Sequence, residues 1–430
     1  MSKVNEAIIL AAGYGKGLEP LTYTRHKVLM PLINETLLSY WIKTLVEVGI
    51  EHIVLVVNYL RDQIEDYVKN LRRHHDVDLK IVDEGKPLGT AHATLKGLEY
   101  IRHNEFLVVY GDIYIELSDL KSIVETNGNV LTIYEVSDDP RKYGVVICEG
   151  SNVKGIIEKP KEVITRKVNA GIYKLTKDFL KFIEAVKPSN RGEYELTDAI
   201  NTAVRSGINV KAYELKYWID IGRPWKLLEL NKYLLTNKVR GRVIKGKVED
   251  GVHIVGPVVI DEGSEILSGT YIVGPAYIGK DAVIGPNAFI RPHTVILSNS
   301  KIGFNVEVKE SIVMENVHIS HQAYVGDSIV GEESNLGAGT ILANLRFDNK
   351  TVKMYIKGTR EDSGRRKLGA IIGAHVKTGV NVSTCPGVKI GSYSWVYPGV
   401  TVCEDVPPCT IVKLNGERTP LRGCPLNIRF

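Results

Sequence analysis

The sequence of 430 residues has only two glutamines, Gln63 and Gln322. So thin a supply of a thermolabile side chain is a faint mark of a heat-adapted source. Apolar residues make up 44% of the chain, yet they never run long enough to cross a bilayer, so no membrane partner is expected. Charge of one sign is not in excess. The 55 Lys and Arg against 50 Asp and Glu leave +5, too little at this length to argue for nucleic acid. The five cysteines (Cys148, Cys385, Cys403, Cys409 and Cys424) form no C-x-x-C pair and no zinc spacing. Three cluster late and could pair where intracellular disulfides are tolerated, but free buried thiols are the expectation. The N-terminal MSKVNEAIILAAG lacks a secretory cleavage pattern and reads as a first strand, which points to a cytoplasmic protein.

What the chain has is a repeat. Nine isoleucines stand six residues apart: Ile254, Ile260, Ile266, Ile272, Ile278, Ile284, Ile290, Ile296 and Ile302. That period is neither the 3.6 of a helix nor the 2 of a single strand. An inward residue every sixth position, often followed by Gly, describes a chain wound in short flat faces, and the hexapeptide repeat resembles it; that resemblance implies a left-handed parallel β-helix. Positions eighteen apart, such as Ile254, Ile272 and Ile290, should stack on one face. The phase slips by one near Val313, breaks at a polar insertion over 345–367, and resumes at Ile372. Roughly seven coils result, enough for a self-supporting solenoid. A Pro-containing tail over 407–430 leaves the repeat. The length predicts two or three domains, with boundaries at 1–235, 245–406 and the tail.

The first part alternates strand and helix patterns. Ala7–Leu10, Ile53–Asn58, Leu79–Val82 and Phe106–Tyr110 read as buried strands, and Leu37–Val48 as an amphipathic helix. Trp225–Leu235 reads as a helix that closes the domain. This alternation predicts an open, mostly parallel sheet with helices on both faces, and a ligand site at the carboxyl ends of its strands.

After the first strand comes Leu10-Ala11-Ala12-Gly13-Tyr-Gly15-Lys16-Gly17-Leu-Glu-Pro20-Leu-Thr22, with Lys27 shortly after. A Gly-rich turn lets backbone N–H groups approach phosphates, and a lysine supplies charge. The string resembles the signature of the sugar-1-phosphate nucleotidylyltransferases, an α/β Rossmann-like fold. That resemblance implies that Leu10, Ala11, Ala12 and Gly13 bind nucleotide, that Lys27 is catalytic, and that Glu84, Gly89 and Thr90 lie in the base-recognition loop. It implies sugar-phosphate binding by Gly144, Glu158, Lys159 and Asn169, and Mg²⁺ held by Asp112 and Asp220. Taken singly, the two aspartates would pass for helix caps. One position departs from the pattern: Gly17 stands where the family carries its catalytic arginine, and His26 replaces the proline before the lysine. Loss of one such preorganised donor typically costs about 10²–10³-fold, so nucleotidyl transfer is expected to be impaired, and Gly17→Arg to restore it.

Within the repeat lie His321-Gln-Ala-Tyr324-Val-Gly-Asp327, then Asn335-Leu-Gly337-Ala338-Gly-Thr340, Asn344 and Lys350, with Arg291 and Lys309 upstream. These resemble the acetyltransferase domain of the bifunctional N-acetylglucosamine-1-phosphate uridylyltransferase/glucosamine-1-phosphate acetyltransferase family. The resemblance implies His321 as general base, Arg291, Lys309, Tyr324, Asn335, Asn344 and Lys350 as ligands of the amino-sugar phosphate, and Ala338 and Asn344 at acetyl-CoA. An ammonium cannot attack a thioester, so a base that titrates near neutrality is needed, and phosphate demands cations. Arg360, Arg365, Arg366 and Lys367 in the insertion read as a solvated run, with contact to coenzyme A phosphates as the other reading.

The expectation is therefore acetyl transfer from acetyl-CoA to glucosamine-1-phosphate or galactosamine-1-phosphate, coupled to nucleotidyl transfer from UTP or dTTP to a sugar-1-phosphate with release of pyrophosphate. Two alternatives are an acetyltransferase with a disabled nucleotidyl domain and a non-catalytic regulatory subunit. The resemblance also implies a homotrimer with acetyl sites between neighbouring helices.

Overall fold

A computed structural model describes residues 4–71 and 77–426. The chain divides into two compact units. Met1–Tyr14, His26–Met30 and Thr36–Asp220 form the first, and Gly15–Arg25, Pro31–Glu35 and Ile221–Phe430 form the second. The division departs from the expected boundary at residue 235: the helix Pro224–Lys238 and two short stretches of the first 35 residues group with the second unit.

The first unit is built on a nine-stranded sheet. Its spatial order is Asp78–Asp83, His52–Val57, Glu6–Ala11, Glu105–Tyr110, Lys167–Thr176, Asn129–Glu135, Val210–Glu214, Asn152–Glu158 and Gly144–Glu149. The four expected strands are all present and run mutually parallel. Asn129–Glu135 and Val210–Glu214 also pair parallel and run in the same direction, so the sheet is mostly parallel as expected, with two strands opposed. Lys167–Thr176 runs antiparallel to both of its main neighbours, and the edge pair Asn152–Glu158 and Gly144–Glu149 is an antiparallel hairpin. The inner strands Glu6–Ala11 and His52–Val57 are buried on both faces, as strands covered by helices require. The hairpin alternates instead, with Val153 and Ile156 buried and their neighbours out, as a half-covered edge allows. Helix Leu37–Glu47 starts on Thr36, whose hydroxyl accepts from Ser39 N–H at 3.1 Å. It buries Leu38, Trp41, Ile42 and Leu45, and Trp41 Nε1 donates to the Ile113 carbonyl at 2.8 Å. That bond fixes the short strand Ile113–Ile115, next to Asp112.

The second unit is a three-faced parallel β-solenoid. The nine isoleucines sort three to a face: Ile260, Ile278 and Ile296 on the first, Ile266, Ile284 and Ile302 on the second, Ile254, Ile272 and Ile290 on the third. All but the half-exposed Ile254 in the outermost coil are fully buried, and they form the axis of one continuous core. The first and third faces have eight strands each. The second has ten, because Thr410–Val412 pairs parallel with Trp395–Val396 and Arg418–Pro420 turns back on it. The tail thus continues the second face, where the sequence suggested that it leaves the repeat.

The phase slip occurs twice rather than once. Ile296 pairs with Val313 and Val313 with Val330, each seventeen residues apart, and Val330 then pairs with Ile372 across the insertion. The missing residues fall at one corner, between the third and first faces, at Lys309-Glu310-Ser311 and again at Gly326-Asp327-Ser328. The insertion enters at the same corner of the next coil and forms an antiparallel hairpin of Lys353–Ile356 with Thr359–Asp362. Serines bridge the shortened corners. Ser311 Oγ donates to the Lys309 carbonyl (2.7 Å) and accepts from Ser328 N–H (3.0 Å), and Ser328 Oγ accepts from Ala370 N–H (3.1 Å).

Four of the five cysteines are paired, which corrects the expectation of free thiols. Cys385 bonds Cys403, with Cα atoms 4.7 Å apart, and Cys409 bonds Cys424, at 5.8 Å. The first pair spans eighteen residues, one full coil, and directly follows the Thr384–Val402 register pair. Only Cys148 keeps a free thiol. Alkylation of the unfolded chain should therefore label one cysteine without reductant and five after reduction, read by intact mass; five labels without reductant would remove both bridges.

Candidate functional site

In the first unit, Leu10 pairs with Tyr110, so the turns that leave these two strands emerge together. Gly111 N–H donates to the Leu10 carbonyl at 2.9 Å, and a Cβ on Gly111 would meet that oxygen at 2.9 Å. Glycine here lets the two turns touch. Asp112 follows, and its Oδ2 accepts from Lys27 Nζ at 2.7 Å. Lys27 also lies against Gly13, whose added Cβ would sit 3.4 Å from Nζ. Asp220 ends the strand Trp218–Asp220 and is the register partner of Ile113, one residue beyond Asp112. The two aspartates, the lysine and the glycine turn named from sequence are thus gathered at the carboxyl ends of the strands, and neither aspartate caps a helix.

His26 occupies the position before Lys27 as a cap. Its Nδ1 accepts from Val28 N–H at 3.2 Å, and its own N–H donates to Gln63 Oε1 at 3.0 Å. The ring is wholly buried. Burial, then the charge of Lys27, pushes its pKa down to about 3. The neutral imidazole starts the 3₁₀ turn that carries Lys27.

The other sequence-named groups fall into two sets. Glu84 is buried, and its Oε1 accepts from Leu88 N–H (3.2 Å) and contacts His92 Nδ1 (2.9 Å). Burial pushes its pKa up, although the His92 contact pulls it back. Gly89 has a φ of +132° and no room for a Cβ, which would lie 2.5 Å from the Tyr194 carbonyl; Thr90 then opens a helix. Gly144, Glu158 and Asn169 meet at one end of three neighbouring strands: Glu158 pairs with Gly144, and Val168 with Val145. A Cβ on Gly144 would reach Glu158 Oε2 at 2.6 Å. Asn169 Nδ2 donates to the Tyr173 hydroxyl at 2.6 Å, which contacts the Tyr110 hydroxyl at 3.1 Å; burial pushes the Tyr110 pKa up to about 12. Burial, then Glu195, also pushes Glu158 up. Lys159 is exposed, in a left-handed conformation (φ 45°).

The signature continues through Gly17 in the second unit. A Cβ there would lie 2.2 Å from the Gly222 carbonyl oxygen and 2.7 Å from Arg223 Nη1. That guanidinium is fixed on Glu361 by bonds of 2.8 and 2.9 Å. A longer side chain would require this backbone to shift, which argues against the expected rescue by Gly17→Arg.

In the solenoid most of the residues named for acetyl transfer lie to either side of the third face. Arg291 and Lys309 follow matching positions of successive strands and line the irregular corner. Asp327, 1% exposed, is its hub: Oδ2 accepts from Lys309 Nζ (2.8 Å) and Asn344 Nδ2 (2.6 Å). Asn344 Nδ2 also reaches the Tyr324 hydroxyl at 3.0 Å, and a Cβ on Gly326 would block both groups. Burial raises the Tyr324 pKa, against the Asn344 contact. Arg291 is held on Glu307 at 2.7 Å. His321 is exposed at the end of the second-face strand His318–His321, and its carbonyl accepts from Gly339 N–H (3.2 Å), beside Ala338. Asn335 pairs with His318 on that face. One chain therefore places His321, Asn335 and Ala338 before the third face, and Lys309, Asn344 and Asp327 beyond it. Lys350 is exposed in the insertion, outside the Asp327 cluster. The insertion is not simply solvated either: Arg365 is turned inward onto Asp327 and Glu310. The contact of Arg365 with Asp327 was not legible in the sequence, where Asp327 stands in its motif without a role and Arg365 has only a contact with coenzyme A as its other reading.

Comparison with known proteins covers both parts of the chain. Residues 6–237 match the nucleotidyl transferase family model, and 272–383 match the GMPPB C-terminal domain model. A bifunctional sugar-1-phosphate nucleotidylyltransferase/acetyltransferase of Sulfurisphaera tokodaii is 45% identical over 93% of this chain and 98% of its own length. The chain belongs to that family. The bifunctional protein GlmU of Methanocaldococcus jannaschii is 43% identical over 96% of this chain and 98% of its own. A crystal structure of UDP-glucose pyrophosphorylase complexed with UDP-glucose aligns with a TM-score of 0.50 at 25% identity, over 54% of this chain and all of the other.

Two tests follow from these contacts. Gly17→Arg should lower the unfolding temperature and give no gain in pyrophosphate release; a faster, equally stable variant would contradict the contact with Gly222. Between pH 6.5 and about 3 the unfolded chain binds a proton at His26 that the folded chain does not. Stability should therefore fall as pH drops through that window. The difference in unfolding temperature between the parent chain and His26→Asn should shrink on acidification; a constant difference would rule out a neutral buried imidazole.

Proposed function

We propose that this chain catalyses two group transfers: acetyl from acetyl-CoA to the amine of glucosamine-1-phosphate or galactosamine-1-phosphate, and a nucleotidyl group from UTP or dTTP to a sugar-1-phosphate. The observation that carries the nucleotidyl reading is the Lys27–Asp112 contact beside Asp220, at the strand ends, below a glycine turn. A sugar-phosphate oxygen attacks the α-phosphorus in line, and pyrophosphate leaves. Gly13 lets the triphosphate approach the backbone, and Lys27 offsets phosphate charge. Asp112 and Asp220 suit Mg²⁺, which takes one or two carboxylates together with substrate phosphates; bound there, the ion would neutralise charge on the departing pyrophosphate. Gly144, Glu158 and Asn169 would hold the sugar, and the exposed Lys159 its phosphate. Glu84, Gly89 and Thr90 would face the base.

For acetyl transfer, the amine nitrogen attacks the thioester carbonyl carbon, His321 takes the ammonium proton, and coenzyme A leaves as the thiol. Arg291, Lys309, Tyr324, Asn335, Asn344 and Lys350 would bind the amino-sugar phosphate, with the Ala338 turn next to the acetyl group. The separation of His321 from the Lys309 corner across the third face supports a site completed by a neighbouring copy in a homotrimer. A cytoplasmic setting would have to tolerate two disulfides, as those of some heat-adapted organisms do.

Among the described residues no helix is long and apolar enough to cross a membrane. The two activities should separate by mutation. Asp112→Asn and Asp220→Asn should each cut pyrophosphate release by at least about 10²-fold and leave thiol release from acetyl-CoA within twofold. His321→Ala should do the reverse. If one variant abolished both activities, or His321→Ala kept full acetyl transfer, the assignment would fail.

A further inference from the structure

The corner between the third and first faces holds charge that the roles above leave unbalanced. Asp327 accepts from Lys309, Asn344 and, through its other oxygen, Arg365 Nη2 at 3.2 Å. Glu310 accepts from the same Nη2 at 2.6 Å and from Lys232 Nζ at 3.2 Å. Three cations, Lys309, Arg365 and Lys232, thus share two carboxylates. Burial raises the Glu310 pKa, but Arg365 and Lys232 outweigh it, and the carboxyl is held below its ordinary value. Arg291, at the same edge, is already matched by Glu307. Lys232 is nearly half exposed, whereas Lys309 and Arg365 are largely covered and stand on the same carboxylate, so that an anion could be held by both cations.

Arg365 is placed with care. Its backbone is tied into the hairpin, with N–H on Ser363 Oγ (3.1 Å) and carbonyl accepting from Val352 N–H (2.8 Å). Its Nε donates to the Lys367 carbonyl at 3.2 Å, and its side chain is 19% exposed. Nε and Nη2 are committed, and Nη1 enters none of these bonds. With Nε on a carbonyl and both Nη2 hydrogens on carboxylates, the guanidinium plane is fixed and the Nη1 N–H groups keep a set orientation, which suits a phosphate oxygen. Moreover, the hairpin that carries Arg365 enters at the corner where two successive coils are each one residue short. All three departures from the repeat fall at the one place where Lys309, Asp327 and Asn344 meet.

We propose that Arg365 binds the phosphate of the acetyl acceptor, so that the insertion is part of the acceptor site. The inference rests on reading the solenoid as the acetyltransferase. In the full-length chain, Arg365→Ala should raise KM for glucosamine-1-phosphate at least tenfold and leave KM for acetyl-CoA within twofold. Arg365→Lys should recover part of the loss. With glucosamine, which has no phosphate, the parent and Arg365→Ala should be equally poor. A KM for glucosamine-1-phosphate within twofold of the parent, or an equal loss with glucosamine, would overturn the proposal, as would an unfolding temperature that falls alike in both variants together with activity. Calorimetric binding of glucosamine-1-phosphate to the parent and to Arg365→Ala decides the matter separately from turnover. If the parent released no thiol, the acetyltransferase reading would fail, while a tenfold weaker affinity in the variant would still support Arg365 as a phosphate ligand, and equal affinity would not.

Discussion

The second unit depends on one constraint: each coil must hydrogen-bond to the next along three faces while a single apolar side chain per face fills the axis. Ile260, Ile278, Ile296 and Val313 form one such column, and their burial leaves no slack in the register. A strand cannot slip by one residue here without turning its inward residue outward. Variation is therefore confined to corners, and this chain concentrates it at one. Removal of a residue at Lys309-Glu310-Ser311 and at Gly326-Asp327-Ser328 tightens the turn, and the serine hydroxyls take up backbone groups that the shorter turn leaves over. The tightened corner draws Lys309, Asp327 and Asn344 within hydrogen-bond reach. A buried carboxylate is then affordable only because three donors converge on it.

The first unit reaches its site by different physics. Its parallel strands end at the same level, so the turns that leave them converge without help from any repeat. Gly111 permits the contact of two such turns, and the Trp41 indole anchors the strand that follows Asp112. The mixed half of the sheet supplies what a purely parallel sheet would not. The antiparallel pairing of Gly144–Glu149 with Asn152–Glu158 returns Glu158 to the level of Gly144, where Asn169 also lies.

Much of this was legible in the residues. The six-residue spacing gave the solenoid its faces, and apolar runs located the four parallel strands to within a residue or two. The candidate residues came as ordered motifs, and the structure gathers most of them. What escaped depends on pairing between distant segments. Nothing in Lys167–Thr176 declares which neighbours it will choose, so its antiparallel place in the sheet was not visible. Cys385 and Cys403 are one coil apart and could have been matched by that spacing, but Cys409 and Cys424 pair outside the regular repeat. Arg365 stands in a polar stretch that looks like any solvated loop until the hairpin folds it back onto Asp327.

Gly17 shows how the environment of a position limits what a motif can mean. The string around it resembles a signature with arginine there, and substitution seems a simple repair. Yet the space beside that backbone is already taken by the Gly222 carbonyl and the Arg223 guanidinium. A backbone oxygen 2.2 Å from a Cβ position cannot be moved by a rotamer change. Glycine at 17 and arginine at 223 are therefore mutually consistent, and neither can be understood without the other. The absence of an arginine at 17 is a property of the local packing, and it gives no ground for treating the nucleotidyl domain as disabled.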